Sequence, residues 1–257
     1  MSQNIKISII TVAYNSGATI RDTIESILLQ DYKNIEYIII DGASEDNTKE
    51  IIKEYKNNID VFISEPDNGI YDAMNKGIRV ATGDVIGILN SDDFYPNRFI
   101  LRNVAMYFEK ENCDAVYGDL VYVDANNTSK VKRYWKSGQY NTKKIKNGWM
   151  LPHPTFFVKS VLYNRFGLYD TALSKASDYD MIVRLLYKHN ILAKYIPMIL
   201  VNMRLGGASN VSLLARLKAN REDGIAWTKN RLEKPFFIRF KKPFQKIKQF
   251  FIKPTYK

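Results

Sequence analysis

The amino-acid sequence predicts an α/β protein with a mostly parallel central sheet flanked by helices. In the first half, short runs rich in β-branched residues alternate with segments whose apolar residues recur every three or four positions. This alternation is typical of parallel sheets joined by right-handed crossover helices. The chain has 257 residues, 46% of them hydrophobic and 25% charged, which is enough to bury one sizeable core.

Four strands and three helices are predicted in this first half. The first helix opens with the capping-box pattern Thr19-x-x-Asp22, and the third carries an apolar stripe from Ile70 to Ile78. The strands read as nearly continuous apolar runs, as expected for strands buried on both faces. They span residues 7–13, 37–43, 61–65 and 85–91.

The second half is less regular, although its elements can still be placed. We expect the basic stretch Lys130–Lys146 to be an exposed hairpin or loop, and the segment 193–204 to be a broken strand. The remaining predictions are a helix at 98–110, a strand at 115–124 and a helix at 176–190 with a carboxylate-rich start.

Composition limits the class of protein and its compartment. The single cysteine, Cys113, excludes an internal disulfide framework and a cysteine-rich metal site. The first residues lack the features of a signal peptide, and there is no run of about 18 apolar residues that would predict a membrane-spanning helix. We therefore expect a cytoplasmic location.

The net charge of +11 is concentrated at the C-terminus. Residues 229–257 contain ten Lys or Arg and one acid, a net charge of +9, which leaves +2 for residues 1–228. A nearly neutral body argues against a nucleic-acid partner. An anionic surface that meets residues 229–257 is a better fit to this asymmetry.

Aromatic and aliphatic residues alternate with the basic residues of this C-terminal tail. Such a pattern places rings at a lipid headgroup boundary while cations meet anionic lipid, so we expect peripheral attachment to the inner face of the cytoplasmic membrane. A solvated tail and aromatic packing on the body are the alternatives. The apolar positions are Phe236, Phe240, Phe244, Ile247 and Phe251.

Polar and acidic side chains follow the predicted strands of the first half. Tyr14 follows the first strand, Asp41 ends the second, and Asp92 and Asp93 follow the fourth. Ligands bind beyond the carboxyl ends of strands in such sheets. No glycine-rich phosphate motif is present. Asp92 and Asp93 are therefore candidates to hold a divalent cation against phosphates, the alternative being that they cap the next helix.

Four segments carry a resemblance to a known family, and they span roughly residues 5–190. They are SIITVAYNSGATIRDTIESILLQ, IIIDGASEDNT, AMNKGIRVATGDVIGILNSDD and SDYDMIVRL. In this order and spacing they resemble the inverting family 2 glycosyltransferases, which have the GT-A fold. The stretches DNGIYDAMNKG, LPHPTFF and GGAS are similar to the bacterial branch that builds capsule, exopolysaccharide or lipopolysaccharide.

The resemblance implies roles for particular residues. Asp178 would be the general base, and Asp92 and Asp93 would bind Mn²⁺ or Mg²⁺. His153, Gly207 and Ser209 are candidates for acceptor or diphosphate contacts. The nucleotide of the donor would meet a larger set, namely Thr11, Ala13, Tyr14, Asp41, Ser44, Asn75, Lys76, Asn90, Ser91 and Asp92.

The chain departs from the family pattern in three respects. Asn90 stands where many relatives have aspartate, which removes one charge near the metal. Ser177 replaces a glutamate before Asp178, and Ser177-x-x-Asp180 is itself a capping-box pattern, so acids here also fit an ordinary helix start. Asp180 is expected to be structural. The Gln-x-x-Arg-Trp signature of processive members is absent, so one sugar per acceptor is expected.

Together these observations predict an enzyme. It would be an inverting, metal-dependent glycosyltransferase that moves a sugar from a nucleotide sugar, expected to be UDP-linked, to a lipid-linked saccharide. The alternative is a catalytically silent nucleotide-sugar-binding or membrane-scaffold protein on the same fold. Predicted domains are a catalytic domain, 1–212, with a nucleotide-binding half (1–94) and an acceptor half (95–212), and a helical basic tail, 213–257.

Overall fold

The computed structural model describes residues 5–206, 213–235 and Gln249. Over these residues a mixed sheet lies between layers of helices. The strands are β1 (Ile7–Ala13), β2 (Ile35–Asp41), β3 (Val61–Ser64), β4 (Val85–Ile88), β5 (Asp93–Phe94), β6 (Ala115–Val123), β7 (Val131–Trp135), β8 (Phe157–Lys159) and β9 (Ala193–Arg204). The helices are α1 (Ile20–Leu28), α2 (Thr48–Glu54), α3 (Ile70–Val80), α4 (Ile100–Lys110), α5 (Thr142–Lys146), α6 (Ser160–Phe166), α7 (Ser177–Ile182) and α8 (Leu213–Lys229).

The sheet has the order β3-β2-β1-β4-β8-β6-β9-β5, and β7 pairs with β6. The four strands of the first half are parallel, as predicted, and the structure places β1 between β2 and β4. In the second half β6 and β9 are parallel, whereas β8 is antiparallel to both β4 and β6. The predicted fold class is confirmed, and the antiparallel pairs of the second half explain its irregular sequence pattern.

The core lies on both faces of the sheet because the strands of the first half present apolar side chains to each side. Ile10 and Ile38 pack on the face that carries α3 and α7, while Ile9 and Ile39 pack on the face that carries α1 and α4. A fully buried isoleucine stabilises the fold by about 1.5–3 kcal/mol. Helix α3 packs very closely, since a Cβ at Gly77 would lie 2.4 Å from Ile10 Cγ2.

A buried carboxylate joins the ends of the strands opposite the polar loops. Glu36 on β2 accepts hydrogen bonds from Ser8 Oγ at 2.5 Å, Lys6 Nζ at 3.0 Å and the backbone N–H of Thr82 at 2.7 Å. Burial alone raises the pKa of Glu36, but these hydrogen bonds outweigh burial and lower the pKa to about 2. The cluster thereby fixes β1, β2 and the start of β4 relative to one another.

The stabilisation by Glu36 is expected to disappear in acid. Because the pKa of Glu36 is lowered on folding, its contribution is present above the unfolded-state pKa of about 4.3 and is lost as the pH falls towards about 2. Glu36→Gln should lower the free energy of unfolding by about 2 kcal/mol at pH 7 and flatten its dependence on pH below 4.3. Urea denaturation at several pH values measures both effects. Exposed Glu109→Gln is the control, and equal acid sensitivity of Glu36→Gln and wild type would contradict the prediction.

Three local predictions differ from the structure. Thr19 and Ser177 make no capping hydrogen bonds, so both predicted capping boxes are wrong. Asp22 instead forms an ion pair with Arg204 of β9, a partner that is distant in sequence. The predicted helix at 176–190 is α-helical only over α7 and continues as a π-helix from Val183 to Lys188. The basic segment 130–146, expected to be an exposed hairpin or loop, contains β7 and α5.

Helix α8, the first part of the predicted tail, packs on the body. Trp227 is fully buried and its indole N–H donates to Tyr179 Oη at 2.9 Å. Asn230 Nδ2 donates to Asp180 Oδ1 at 2.7 Å, which fits the structural role expected for Asp180. The aromatic positions from Phe236 to Phe251 lie outside the described residues. In the part of the chain that the structure describes, no helix is long and apolar enough to cross a membrane.

Candidate active site

Three loops meet at the carboxyl ends of β1, β2 and β4. The backbone N–H of Asn15 donates to Ser44 Oγ at 2.8 Å, and that of Ser16 donates to Thr48 Oγ1 at 2.7 Å. The hydroxyls of Ser16 and Ser91 are 2.7 Å apart. These contacts bring the predicted residues Ser44 and Ser91 to one rim of the sheet.

Sharp turns after β1 and β2 create this rim. Asn15 (φ 48°) and Ala43 (φ 59°) lie in the left-handed region, which costs a residue other than glycine about 1–2 kcal/mol. A Cβ at Gly42 would lie 2.8 Å from Asp67 Oδ2 and 3.4 Å from Tyr14 Cδ2. Tyr14 and Asp67 therefore flank Gly42, and the Tyr14 side chain is 64% exposed.

Two residues predicted to meet the donor nucleotide, Asp41 and Thr11, are buried beneath the rim. Asp41 accepts hydrogen bonds from Ser44 Oγ at 2.5 Å, from the Ser44 backbone N–H at 3.1 Å and from Ser64 Oγ at 2.6 Å. Thr11 is fully buried and accepts from Tyr37 Oη at 3.3 Å. Because strand alternation turns Thr11 into the core, the structure gives it a supporting position instead of a place in the pocket wall. Ala13 is also buried, at the end of β1.

Helix α3 begins at this rim, and its side chains Lys76, Asn75 and Tyr71 make contacts that define the candidate site. Lys76 Nζ binds Asp67 Oδ1 at 2.6 Å and Glu65 Oε1 at 2.9 Å, directly after β3. Burial lowers the pKa of Lys76, but the hydrogen bonds to Asp67 and Glu65 outweigh burial and raise it. Lys76 is therefore a cation at the rim that a diphosphate would have to take from two carboxylates.

Asn75, which was predicted to meet the donor nucleotide, is engaged with the protein backbone instead. Its amide Nδ2 donates to the carbonyl oxygen of Tyr169 at 2.8 Å, and its Oδ1 accepts from the Tyr169 backbone N–H at 2.9 Å. The side chain is almost fully buried. Both ends of the amide are used to hold the Tyr169 backbone, so Asn75 is a structural clamp.

A turn places the paired carboxylates next to β9. The backbone N–H of Asp93 donates to the carbonyl of Asn90 at 3.0 Å, and Asp93 then begins β5. Helix α4 starts only at Ile100, so the alternative in which Asp92 and Asp93 cap that helix is wrong. Burial and the charge of Asp92 raise the pKa of Asp93 well above its usual value. Burial also raises the pKa of Asp92.

Two unpaired oxygens lie in this turn. Asp93 Oδ1 and Asn90 Oδ1 are buried and have no hydrogen-bond partner among the described residues, although Asn90 Nδ2 donates to Asp93 Oδ2 at 3.3 Å. The nearby cation, Arg204, donates instead to the backbone oxygen of Asp92 at 3.0 Å and pairs with Asp22. The site therefore holds two mutually repelling carboxylates and two unsatisfied oxygens.

A second cluster forms around Asp178 at the start of α7. Asp178 Oδ1 accepts from Tyr71 Oη of α3 at 3.2 Å and from the Tyr179 backbone N–H at 2.8 Å. His153 Nε2 lies 2.6 Å from Tyr169 Oη, and the Tyr71 and Tyr169 rings stack with centroids 5.8 Å apart. Burial lowers the pKa of His153, against the opposing charge of Asp178, so the imidazole is neutral at pH 7.

The structure thus brings Asp178 and His153 into one cluster, and it adds two tyrosines that sequence reasoning did not select. Tyr71 lies within DNGIYDAMNKG, a stretch that carries the family resemblance, but nothing in that stretch indicates a contact with Asp178. Tyr169 had no signal beyond its aromatic character. The remaining predicted residues, Gly207 and Ser209, lie outside the described residues.

Comparison with known proteins identifies the family. Residues 8–170 match the family described as Glycosyl transferase family 2. The chain belongs to this family. A similar relative is a PGL/p-HBAD biosynthesis glycosyltransferase of Mycobacterium bovis (strain BCG / Pasteur 1173P2), 26% identical over 227 residues, which are 85% of this chain and 86% of the relative.

Solved structures show the fold of the glycosyltransferase. S. aureus TarS 1-349, crystallised with UDP, superposes with a TM-score of 0.68 at 18% identity, over 90% of this chain and 68% of TarS. The mannosyltransferase PcManGT of Pyrobaculum calidifontis, in complex with GDP-Man and Mn²⁺, has a TM-score of 0.66 at 17% identity, over 95% of this chain and 70% of PcManGT. The fold of this glycosyltransferase is therefore GT-A, as predicted.

The carboxylate pair of the glycosyltransferase fits a divalent metal. Its donors are hard oxygens, two of them buried and unpaired, and a cation would offset the repulsion between Asp92 and Asp93. Within the described ranges there is no group of three or more His, Cys, Asp or Glu residues that could hold a metal alone. Mg²⁺ and Mn²⁺ sites at phosphates need only one or two carboxylates, because substrate oxygens and waters complete the shell.

Proposed function

We propose that this glycosyltransferase transfers one sugar, with inversion, from a UDP-linked donor to a lipid-linked saccharide in bacterial surface-polysaccharide synthesis. One observation carries the proposal. Helix α3 connects the rim to the cluster around Asp178. At the rim, Lys76 binds Asp67 beside the exposed ring of Tyr14, and in the cluster Tyr71 binds Asp178. A nucleotide at the rim would therefore present its sugar towards a carboxylate that can accept a proton.

The division of roles follows from the chemistry of a single displacement. Tyr14 would contact the base, with Asp41 and Ser44 forming the floor beneath it. Lys76 would meet the diphosphate, near Asn90 and Ser91. When bound by Asp92 and Asp93, Mn²⁺ or Mg²⁺ would supply Lewis-acid stabilisation of the charge on the leaving diphosphate.

Asp178 would act as general base on the acceptor hydroxyl. An inverting displacement needs a carboxylate within hydrogen-bond reach of the attacking oxygen and no covalent nucleophile. As the new C–O bond forms at the anomeric carbon, the acceptor proton moves to Asp178, and the nucleoside diphosphate leaves with the bonding electron pair. His153, neutral and fixed by Tyr169, would contact the acceptor or the diphosphate as a neutral partner.

The distribution of basic residues supports a lipid-linked acceptor at an anionic inner-membrane surface. The net charge of +9 in residues 229–257 is enough for peripheral attachment, at about 1 kcal/mol for each basic group near the surface. Several lysines of the segment 130–146 are exposed as well, and they lie in the predicted acceptor half. They are Lys130, Lys132, Lys136, Lys143 and Lys146.

Titration calorimetry with UDP, GDP and dTDP in the presence of Mn²⁺ tests the nucleotide assignment. We expect UDP to bind, and Tyr14→Ala to weaken UDP binding about tenfold, because base–aromatic stacking contributes about 1–3 kcal/mol. Phe99→Ala, a truncation of another exposed aromatic residue, is the control and should bind UDP as wild type does. If GDP or dTDP binds more tightly than UDP, that nucleotide replaces UDP as the proposed donor nucleotide. If none of the three binds, the nucleotide-sugar proposal is wrong.

A further inference from the structure

The two oxygens of Asp178 are in different environments. Oδ1 accepts two hydrogen bonds, one from Tyr71 Oη at 3.2 Å and one from the Tyr179 backbone N–H at 2.8 Å. Among the described residues, none donates a hydrogen bond to Oδ2, and the side chain is partly exposed. The carboxylate is thus held by one oxygen while the other remains available.

Tyr71 is itself held firmly. Its ring stacks on Tyr169, with centroids 5.8 Å apart and planes inclined by 19°. Asn75, one turn further along α3, clamps the Tyr169 backbone through both ends of its amide. Residues four positions apart lie on the same helix face, so one face of α3 fixes both the ring of Tyr71 and the ring on which it stacks.

Tyr71 is also a permanent donor. Burial and the charge of Asp178 raise the pKa of Tyr71 well above its usual value, with a smaller contribution from Glu222 of α8. The hydroxyl therefore keeps its proton over the whole working range of pH. His153 and Tyr169 are the other titratable groups whose charge interacts with Asp178, and burial keeps both neutral at pH 7.

We propose that Tyr71 is a positioning residue for Asp178: its hydroxyl holds Oδ1 so that Oδ2 faces the acceptor and takes the proton of the attacking hydroxyl. This inference rests on the proposed role of Asp178 as general base. A carboxylate free to rotate would present either oxygen and would align less often with the acceptor, since small misplacements of a reacting group cost much rate.

Tyr71→Phe tests the proposal, because it removes the hydroxyl and keeps the stacked ring. We expect kcat to fall about tenfold, as for loss of one hydrogen bond to a charged group, with the KM for the donor unchanged. Tyr71→Phe should therefore separate kcat from KM, since only the alignment of the proposed base changes. A merely structural tyrosine would lower the folded fraction and leave the kcat of the folded enzyme unchanged.

The matched control is Tyr140→Phe. Tyr140 Oη donates to the Leu186 carbonyl oxygen at 2.6 Å, so this variant loses a comparable hydrogen bond without touching Asp178. Its kcat should stay at the wild-type value. If Tyr71→Phe does not fold, 3-fluorotyrosine at position 71 keeps both the stacked ring and the hydroxyl donor, and should keep kcat within a few-fold of wild type; a loss of kcat as large as that of Asp178→Asn would contradict the positioning role.

These variants distinguish failure of the positioning role of Tyr71 from failure of the proposed role of Asp178. If Asp178→Asn abolishes transfer while Tyr71→Phe keeps the wild-type kcat, the positioning role of Tyr71 is wrong and the proposed base stands. If Asp178→Asn transfers sugar at the wild-type rate, the proposed base itself is wrong, and the inference about Tyr71 fails with it.

Discussion

Replacement of Asp178 by asparagine is expected to lower kcat by about 10²–10⁴, the range usual for loss of a general base. Asparagine keeps the size of the side chain and still accepts hydrogen bonds from Tyr71 and the Tyr179 backbone N–H, so the local fold should survive. Donor binding should be unchanged, because the proposed role of Asp178 concerns only the acceptor. Initial rates of sugar transfer, with donor affinity measured by calorimetry, check both expectations.

Asp180→Asn is the matched control for this experiment. Asp180 lies two positions along the same helix, but it is buried against Asn230 and Arg184. Its loss should lower the melting temperature, while the folded fraction retains kcat within a few-fold. Equal losses of kcat in the two variants would mean that Asp178 acts only through the integrity of α7.

Removal of the metal or of its carboxylates is expected to have the second large effect. UDP should bind in the presence of Mn²⁺, and EDTA should reduce its affinity by about 100-fold or more, because the diphosphate then meets two uncompensated carboxylates. Asp92→Asn should reduce the dependence on Mn²⁺ by removing one of the two carboxylates proposed to bind the metal. Its partial exposure makes Asp92 a safer position for substitution than the buried Asp93.

Asp114→Asn is the control for the metal experiment. This carboxylate accepts from the Leu192 backbone N–H at 3.0 Å, at the start of β6 and far along the chain from the turn at Asn90. The Asp114→Asn variant should bind UDP in the presence of Mn²⁺ as tightly as wild type does. Binding of UDP that is equally tight in EDTA and in Mn²⁺ would show that Lys76 and backbone groups are sufficient, and would contradict the metal assignment.

Local sequence patterns were sufficient for the parallel half of the sheet. β1, β2 and β4 were predictable because apolar runs buried on both faces leave little choice of conformation, and the polar residues that follow them were correctly expected at one rim. The position of Asp92 and Asp93 after a predicted strand already made them metal candidates, whereas Asp178 was selected only through the family resemblance. No local pattern contained the antiparallel insertion of β8 between β4 and β6, because strand order depends on contacts between distant segments.

The failed predictions have the same origin. Capping boxes were expected at Thr19 and Ser177 from sequence spacing, but Asp22 is paired with Arg204, which is 182 positions away. Asn75 was assigned to the nucleotide because of its motif, whereas it holds the Tyr169 backbone, 94 positions away. In both cases a partner distant in the sequence engages the side chain, and for Asp22 it outweighs a local capping preference of about 1 kcal/mol.

The sequence by itself determined the α/β class, the position of the acidic turn and the charge asymmetry of the tail, because each depends on neighbouring residues or on composition. Only the tertiary structure decided which polar groups are already engaged and which are available. Tyr71 and Asp178 are 107 positions apart, and packing of α3 against α7 brings them into contact. The physical reason is that hydrogen bonds between distant segments are fixed by packing of the core, which no local periodicity records.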